Sequence, residues 1–397
     1  MELVLASLHL SWMGGATTYL LTVAPALQRL GHEVTLYSPD AGDTAELARD
    51  RGIRVATDES ELPADCDGLL TQDTALALEL ADRYERPQLF VSHGAGVDLA
   101  KPPQLPGLTA AIVAMNDRVA GEARALALDA PVERLRQPID IERFRFRGPV
   151  REPARRALLL GNYLRGDRRA IVTSACEAAG IDWTQLGREG DGMVTDPSDA
   201  IAQADIVIGY GRSILEAMAC GRPAYVCDHA GADGWVTKES YPALESDGFT
   251  GMASGKRADH DTLVSDLAAY DPSSGSANYH LVWAHHAAGD HAQRLAELFA
   301  GAAGHPTHRT DSARELARVV RSQWNADWRA SQLGRDLEAA QARILDLERR
   351  AATADARADE ADVRAYDYQR RFEEVAQSRR WQLLQSLLRP LDRLRGR

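Results

Sequence analysis

Apolar and polar positions along the first 140 residues follow two periods in turn. Short apolar runs bounded by polar or turn residues predict buried strands at Leu3–Leu8, Glu33–Tyr37, Leu69–Thr71, Leu89–Ser92, Ala111–Ala114 and Val132–Leu135. Helical spacing fills most of the intervals. In Thr17–Leu30, the residues Leu20, Leu21, Ala24, Leu27 and Leu30 fall on one side, and Gly31 ends the helix as a glycine just past a helix terminus does. Repeated strand–helix units predict a parallel sheet with helices on both faces. The pattern breaks at Arg136–Asp140, and the Arg- and Pro-rich stretch to Pro153 reads as a linker. A second series follows: strand Ala157–Leu160, helix Arg168–Ala179, strand Ile206–Ile208, helix Ser213–Ala219 and strand Ala224–Cys227. The expected fold class is therefore α/β, with two Rossmann-like domains at 1–140 and 141–304. Ligands in such folds bind outside the carboxyl ends of the strands, here in the cleft between the domains.

A different pattern occupies the remainder. Between Thr307 and Arg389 there is no Pro and one Gly, Gly334, and Ser312-x-x-Glu315 offers a capping box. One very long helix, or two, is expected over 305–378. A 4-3 spacing of apolar and aromatic residues runs from Leu333 through Leu337, Ile344, Leu347, Tyr368 and Phe372 to Val375. That repeat is the signature of a coiled coil and predicts a homo-oligomer, most simply a dimer. The alternative is a single charged helix lying on the body, and alanines in the middle of the seam favour it. Residues 379–397 form a basic tail in which Trp381 and several leucines alternate with arginines. It reads as a short interfacial helix for a membrane surface or a partner-binding helix.

Composition narrows the function. The chain has 397 residues and a net charge of −12, and its last nineteen residues hold six Arg against one Asp. A basic tail on an acidic body argues against a wrapped nucleic-acid partner. The four cysteines, Cys66, Cys176, Cys220 and Cys227, form no C-x-x-C pair and read as buried thiols. The first apolar run has no basic flank or small-residue cleavage site, so a strand is expected there and not a signal peptide. No stretch reaches the ~20 apolar residues of a membrane span. The expected location is the cytoplasm, with the tail allowing a peripheral contact at the inner face of the membrane.

Two turns carry candidate chemistry. Ser11-Trp12-Met13-Gly14-Gly15 joins the first strand to the first helix. Glycines there serve a tight turn or let the backbone approach a ligand, with free helix N–H groups aimed at an anion. Gly209-Tyr210-Gly211-Arg212 ends a strand and opens a helix that carries Glu216 one turn in. Phosphate suits the helix start and Arg212, and ribose hydroxyls suit the carboxylate. First-turn stabilisation of the helix dipole is the other role open to Glu216.

The run Glu216-Ala-Met-Ala-Cys-Gly-Arg-Pro223 before an apolar strand resembles the signature of retaining GT-B glycosyltransferases of the family 4 type. Gly14-Gly15-Ala16 with Gly31-His32-Glu33-Val34, and Pro138-Ile139-Asp140 before Phe144, resemble other segments of that family. The resemblance covers about residues 1–300. It implies that Glu216 binds the donor ribose, and that Gly15 and Gly209–Arg212 lie against the donor diphosphate. It also implies that His93, after the strand Leu89–Ser92, stands near the donor sugar as the catalytic candidate. Asn162 occupies the place of the family's diphosphate-binding Arg, and Arg165 or Arg168 is the substitute. Ile208 stands eight positions before Glu216, where the family often has a sugar-binding glutamate. The loop Asp228–Trp235 is a candidate for polar sugar contacts instead.

The implied function is transfer of a sugar from a nucleotide-sugar to an acceptor glycan or lipid-linked glycan, with retention. Neither of the two candidate strand–helix turns carries an Asp-x-Asp, so no metal or other cofactor is expected. A catalytically silent scaffold of the same fold, or a nucleotide-sugar epimerase, is the alternative.

Overall fold

The computed structural model describes residues 1–94, 98–162, 164–187, 192, 194–228, 230–304 and 313–384. The elements of the amino-terminal lobe are β1 (Glu2–Ala6), β2 (His9–Leu10), α1 (Gly15–Arg29), β3 (Glu33–Tyr37), β4 (Asp40–Ala41), α2 (Asp43–Asp50), β5 (Arg54–Ala56), β6 (Gly68–Thr71), α3 (Thr74–Arg83), β7 (Gln88–Ser92), β8 (Ala111–Ala114), α4 (Asp117–Ala125) and β9 (Val132–Arg134). Seven of the strands form one parallel sheet in the order β5-β3-β1-β6-β7-β8-β9. β2 and β4 pair separately.

The second lobe contains β10 (Arg156–Leu160), α5 (Gly166–Ala178), β11 (Asp182–Leu186), α6 (Ser198–Gln203), β12 (Ile206–Gly209), α7 (Arg212–Ala219), β13 (Ala224–Cys227), β14 (Ala232–Trp235), α8 (Tyr241–Asp247), α9 (His260–Ala268) and α10 (Ser273–His285). Its sheet runs β11-β10-β12-β13-β14, parallel except for the antiparallel edge strand β14. The α/β class with two Rossmann-like lobes is thus as expected. The edge strands β11 and β14 are polar and partly exposed, so no apolar run announced them.

The range expected for the second domain, 141–304, needs one correction. Helix α11 (Ala288–Ala302) follows the second lobe in sequence but belongs to the first in space. Its Ala292, Leu295 and Phe299 pack with Leu20, Val23 and Leu27 of α1 and Leu3 and Leu5 of β1. Gly68 is required beneath it, because a Cβ there would lie 2.5 Å from the Phe299 ring. The chain therefore crosses between lobes twice. The two crossings are paired: Ile139 N–H donates to His286 O at 2.7 Å, and Ala288 N–H to Ile139 O at 3.0 Å.

Two histidines fasten this double crossing. His286 bonds Gln137 O at 2.8 Å through Nδ1 and the Tyr241 hydroxyl at 2.8 Å through Nε2. His291 likewise bonds Arg136 O at 3.0 Å and the Tyr19 hydroxyl at 2.9 Å. A carbonyl can only accept, so each Nδ1 donates and each Nε2 accepts from its tyrosine. Burial pushes His286 down to about 3 and His291 down to about 4, so both stay neutral.

Helix α12 (Ala313–Gln377) is continuous over 65 residues. Its first turns complete the opposite face of the amino-terminal sheet, where Ala313 and Ala317 pack with Ala77, Ala81 and Phe90. The compact unit accordingly extends to Ser322, and residues 323–397 form a second unit. In that unit the 4-3 stripe is exposed along a single helix; Leu333, Tyr368 and Phe372 are about 70% exposed. The capping box at Ser312 and the tail beyond residue 384 lie outside the described residues.

Candidate functional site

The carboxyl ends of β1, β10 and β12 meet at the interlobe cleft. A cavity of about 250 Å³ there is walled by Gly14, Gly15, Arg143, Gly161, Asn162, Tyr210, Arg212 and Glu216, among others. The two expected turns are therefore brought together across the lobes.

Each turn has a local reason for its glycines. Gly14 caps α1 in extended backbone, and its N–H donates to Thr17 Oγ1 at 2.8 Å. A Cβ on Gly14 would lie 2.4 Å from the Trp12 ring, whereas one on Gly15 would meet nothing within 4 Å. Gly14 is thus demanded by packing, and Gly15 leaves the cleft wall bare. Gly211 has φ 58°, ψ −128°, a conformation that a side chain disfavours. Gly209 sits too close to Leu160 O for a Cβ, at 2.5 Å. Together they bring β12 straight into the start of α7.

Arg212 and Glu216 form an ion pair one helical turn apart, with Nε donating to Oε1 at 2.9 Å. The same guanidinium donates to Pro138 O of the linker at 2.9 Å and to Thr22 Oγ1 of α1 at 2.7 Å. Arg212 therefore ties both lobes and the linker to one point as well as placing positive charge at the cleft. Burial pushes the Glu216 carboxyl up, and the Arg212 charge opposes this. Burial likewise pushes Arg212 down against the pull of Glu216.

A second cavity of about 220 Å³ adjoins the first and shares Gly15, Tyr210 and Arg212 with it. His93 and Asn116 come from the amino-terminal lobe, and Gly211 and Thr250 from the other. His93 lies just past β7, edge-on to Tyr19 at 5.2 Å. Its Nε2 is 2.7 Å from Gln72 Oε1. Burial, reinforced by the Arg212 charge, pushes it down to about 4, so it is neutral at pH 7.

Other expected residues fall elsewhere. Arg165 is the exposed N-cap of α5, away from the cavity wall, and Arg168 donates to Asp228 O at 3.2 Å. Asn162 itself is on the wall. Ile208 is fully buried inside β12, so no side chain at that position reaches the cleft. The second half of the stretch expected as a polar loop after Cys227 is strand β14. There Asp233 accepts from Ala253 and Ser254 N–H, and Trp235 donates to Asp266 O. His229 lies outside the described residues. Among the described residues no group of three or more His, Cys, Asp or Glu is arranged to hold a metal ion. No described helix is long and apolar enough to cross a membrane, and all four cysteines are free and buried.

Two wall residues escaped the sequence pattern. Arg143 is aimed by a turn in which Asp140 Oδ1 accepts from the Glu142 and Arg143 N–H groups. Its guanidinium donates to Asp196 and to Thr195 O. Asn116 caps α4 and abuts Gly248 of the other lobe. The Pro138-Ile139-Asp140 signal stood beside Arg143 but gave no hint of its direction.

Residues 13–106 match the family described as Glycosyltransferase Family 4. No curated protein sequence matches the chain. Among solved structures, Anabaena HepE in complex with UDP-glucose shows 13% identity and a TM-score of 0.55 over 76% of this chain and 100% of that one. HepE with UDP and glucose gives 14% and 0.54 over the same shares. An alpha-glucosyltransferase in complex with UDP and a 13-mer DNA gives 13% and 0.52 over 75% of this chain and 99% of that one. The chain thus has the GT-B fold, and residues 13–106 of its amino-terminal lobe are similar to Glycosyltransferase Family 4.

Proposed function

We propose that the protein transfers a sugar from a nucleoside diphosphate donor to an acceptor glycan or lipid-linked glycan, with retention and without a metal. The observation that carries this reading is the meeting, in one cleft, of Glu216 and the Gly209–Arg212 turn with bare Gly15 and with His93. Glu216 then takes the ribose hydroxyls. The diphosphate lies between the amino end of α7, Gly15 and the guanidinium of Arg143 or Arg212. In the reaction the bond from the sugar C1 to the β-phosphate oxygen breaks, and the acceptor oxygen bonds to C1. The acceptor proton passes to the departing phosphate. Charge grows on the diphosphate as it leaves, and fixed N–H dipoles and guanidinium groups stabilise it without reorganising.

The test is release of nucleoside diphosphate from a panel of donors, beginning with UDP-glucose. Slow hydrolysis without acceptor supports transfer. Nucleotide binding with no turnover on any donor and acceptor favours a silent scaffold instead, a reading to which the commitment of three Arg212 nitrogens to protein partners lends support. The exposed stripe of residues 333–375 supports pairing with a second copy, because a lone helix leaves those side chains in water. Two basic tails would then act together at a membrane surface.

A further inference from the structure

Gln72 follows β6 and His93 follows β7, and these strands are parallel neighbours. The sheet therefore sets the two side chains side by side at its carboxyl edge. The Gln72 amide is not free to turn over. Its Nε2 donates to Ala16 O in the first turn of α1 at 3.2 Å, which leaves Oε1 to face His93 Nε2 at 2.7 Å. An amide oxygen only accepts, so the hydrogen of the imidazole must sit on Nε2.

We infer that Gln72 is a positioning residue that fixes His93 as the Nε2–H tautomer and thereby keeps Nδ1 as a hydrogen-bond acceptor for a hydroxyl of the bound sugar. Three features make the placement specific. Gln72 is 4% exposed, so water does not compete for its oxygen. Tyr19 of α1 holds the imidazole from the edge, with His291 of α11 beyond it. Arg212 of α7 is the charged group facing His93, and it disfavours an imidazolium that would have no acceptor to offer. Ala16 O lies beside Gly15, so the bare wall of the first cavity and the orientation of His93 are set by the same helix start. The role of the sugar hydroxyl rests on the transferase reading above, whereas the tautomer does not.

The experiment uses the full chain with 15N-labelled histidine and a His93→Ala variant to assign the His93 signals. The wild type should show one protonated nitrogen, Nε2, and no imidazolium between pH 5.5 and 8.5. Gln72→Ala should release the constraint and populate both tautomers. Its turnover of UDP-glucose should fall about ten- to a hundredfold, as for other partners that orient a histidine, with the donor KM little changed. Gln72→Glu keeps an acceptor but adds a negative charge. It should restore the Nε2–H tautomer and raise the His93 titration by about 1–3 pH units. The acid limb of kcat should move up with it. A wild-type Nδ1–H tautomer, or unchanged tautomers in Gln72→Ala together with an unmoved titration in Gln72→Glu, overturns the inference. Should Gln72→Ala fail to fold, Gln72→Glu decides by its titration alone. If His93→Ala turns over normally while the tautomer responds to Gln72, the catalytic role of His93 falls and the positioning by Gln72 stands.

Discussion

Replacing Glu216 by Ala gives a quantitative test of the donor site. In the structure the carboxylate has one oxygen on Arg212 and lies on the cavity wall, where the ribose is proposed to bind. Hydrogen bonds to a charged group are worth about 1.5–3 kcal/mol each. Losing one weakens the nucleotide by roughly 10- to 150-fold. A ligand at a hundred times its Kd stabilises the fold by about 2.7 kcal/mol, and at its Kd by only about 0.4 kcal/mol. A hundredfold loss therefore nearly erases the ligand-induced shift in melting temperature at a concentration that saturates the wild type. The variant also leaves Arg212 without its anionic partner, so its unliganded melting temperature should fall. The quantity to compare is the difference with and without UDP, measured by scanning fluorimetry across a concentration series. A Glu216→Ala protein whose UDP-induced shift equals that of the wild type removes Glu216 from the donor site.

His93→Ala should reduce turnover of UDP-glucose by about a hundredfold or more while leaving UDP affinity nearly unchanged; equal losses in both would make His93 structural. Stability should fall between pH 7 and pH 5. His93, His286 and His291 are held below the unfolded value of about 6.5, so the unfolded chain takes up their protons first; their stabilisation is complete above that pH and is lost as the pH falls toward 4. Asp73, pushed up to about 6 by burial, is protonated first in the fold and partly offsets this. His286→Gln should flatten the fall by about 2 kcal/mol in urea titrations at the two pH values, and parallel curves for variant and wild type would defeat the assignment. Truncation after Ser322 should give a monomer by light scattering that still binds nucleotide but no longer floats with anionic vesicles; a full-length chain already monomeric at micromolar concentration rules out the coiled coil. Truncation after Gly304 should lower the melting temperature further, because it uncovers Phe90 and Ala77.

The sequence was most informative where backbone conformation restricts residue choice. Gly14 meets a steric demand from Trp12 and Gly211 a dihedral one, both within a few residues, so the two strand–helix turns could be read directly, and Glu216 followed from its place on α7. Contacts across large separations left no such mark. Arg212 and Thr22 are 190 positions apart, and nothing in either neighbourhood announces the other. Helix α11 has an ordinary amphipathic pattern, which tells that it covers a core but not which one. Ile208 was legible as well: it stands in the strand expected at Ile206–Ile208, and its side chain is buried inside β12.

The return of α11 to the first lobe also constrains how the protein is made. The amino-terminal sheet is complete in sequence once β9 has been synthesised, yet one of its apolar faces awaits Ala292, Leu295 and Phe299. At 5–20 residues per second, the interval on a ribosome is roughly 10–30 s. The second lobe must emerge and fold within that time while the uncovered face of the first is open to chaperones and to neighbouring nascent chains. The two lobes are thus obliged to mature in an interleaved order, and a stalled chain ending within the second lobe is a natural aggregation hazard.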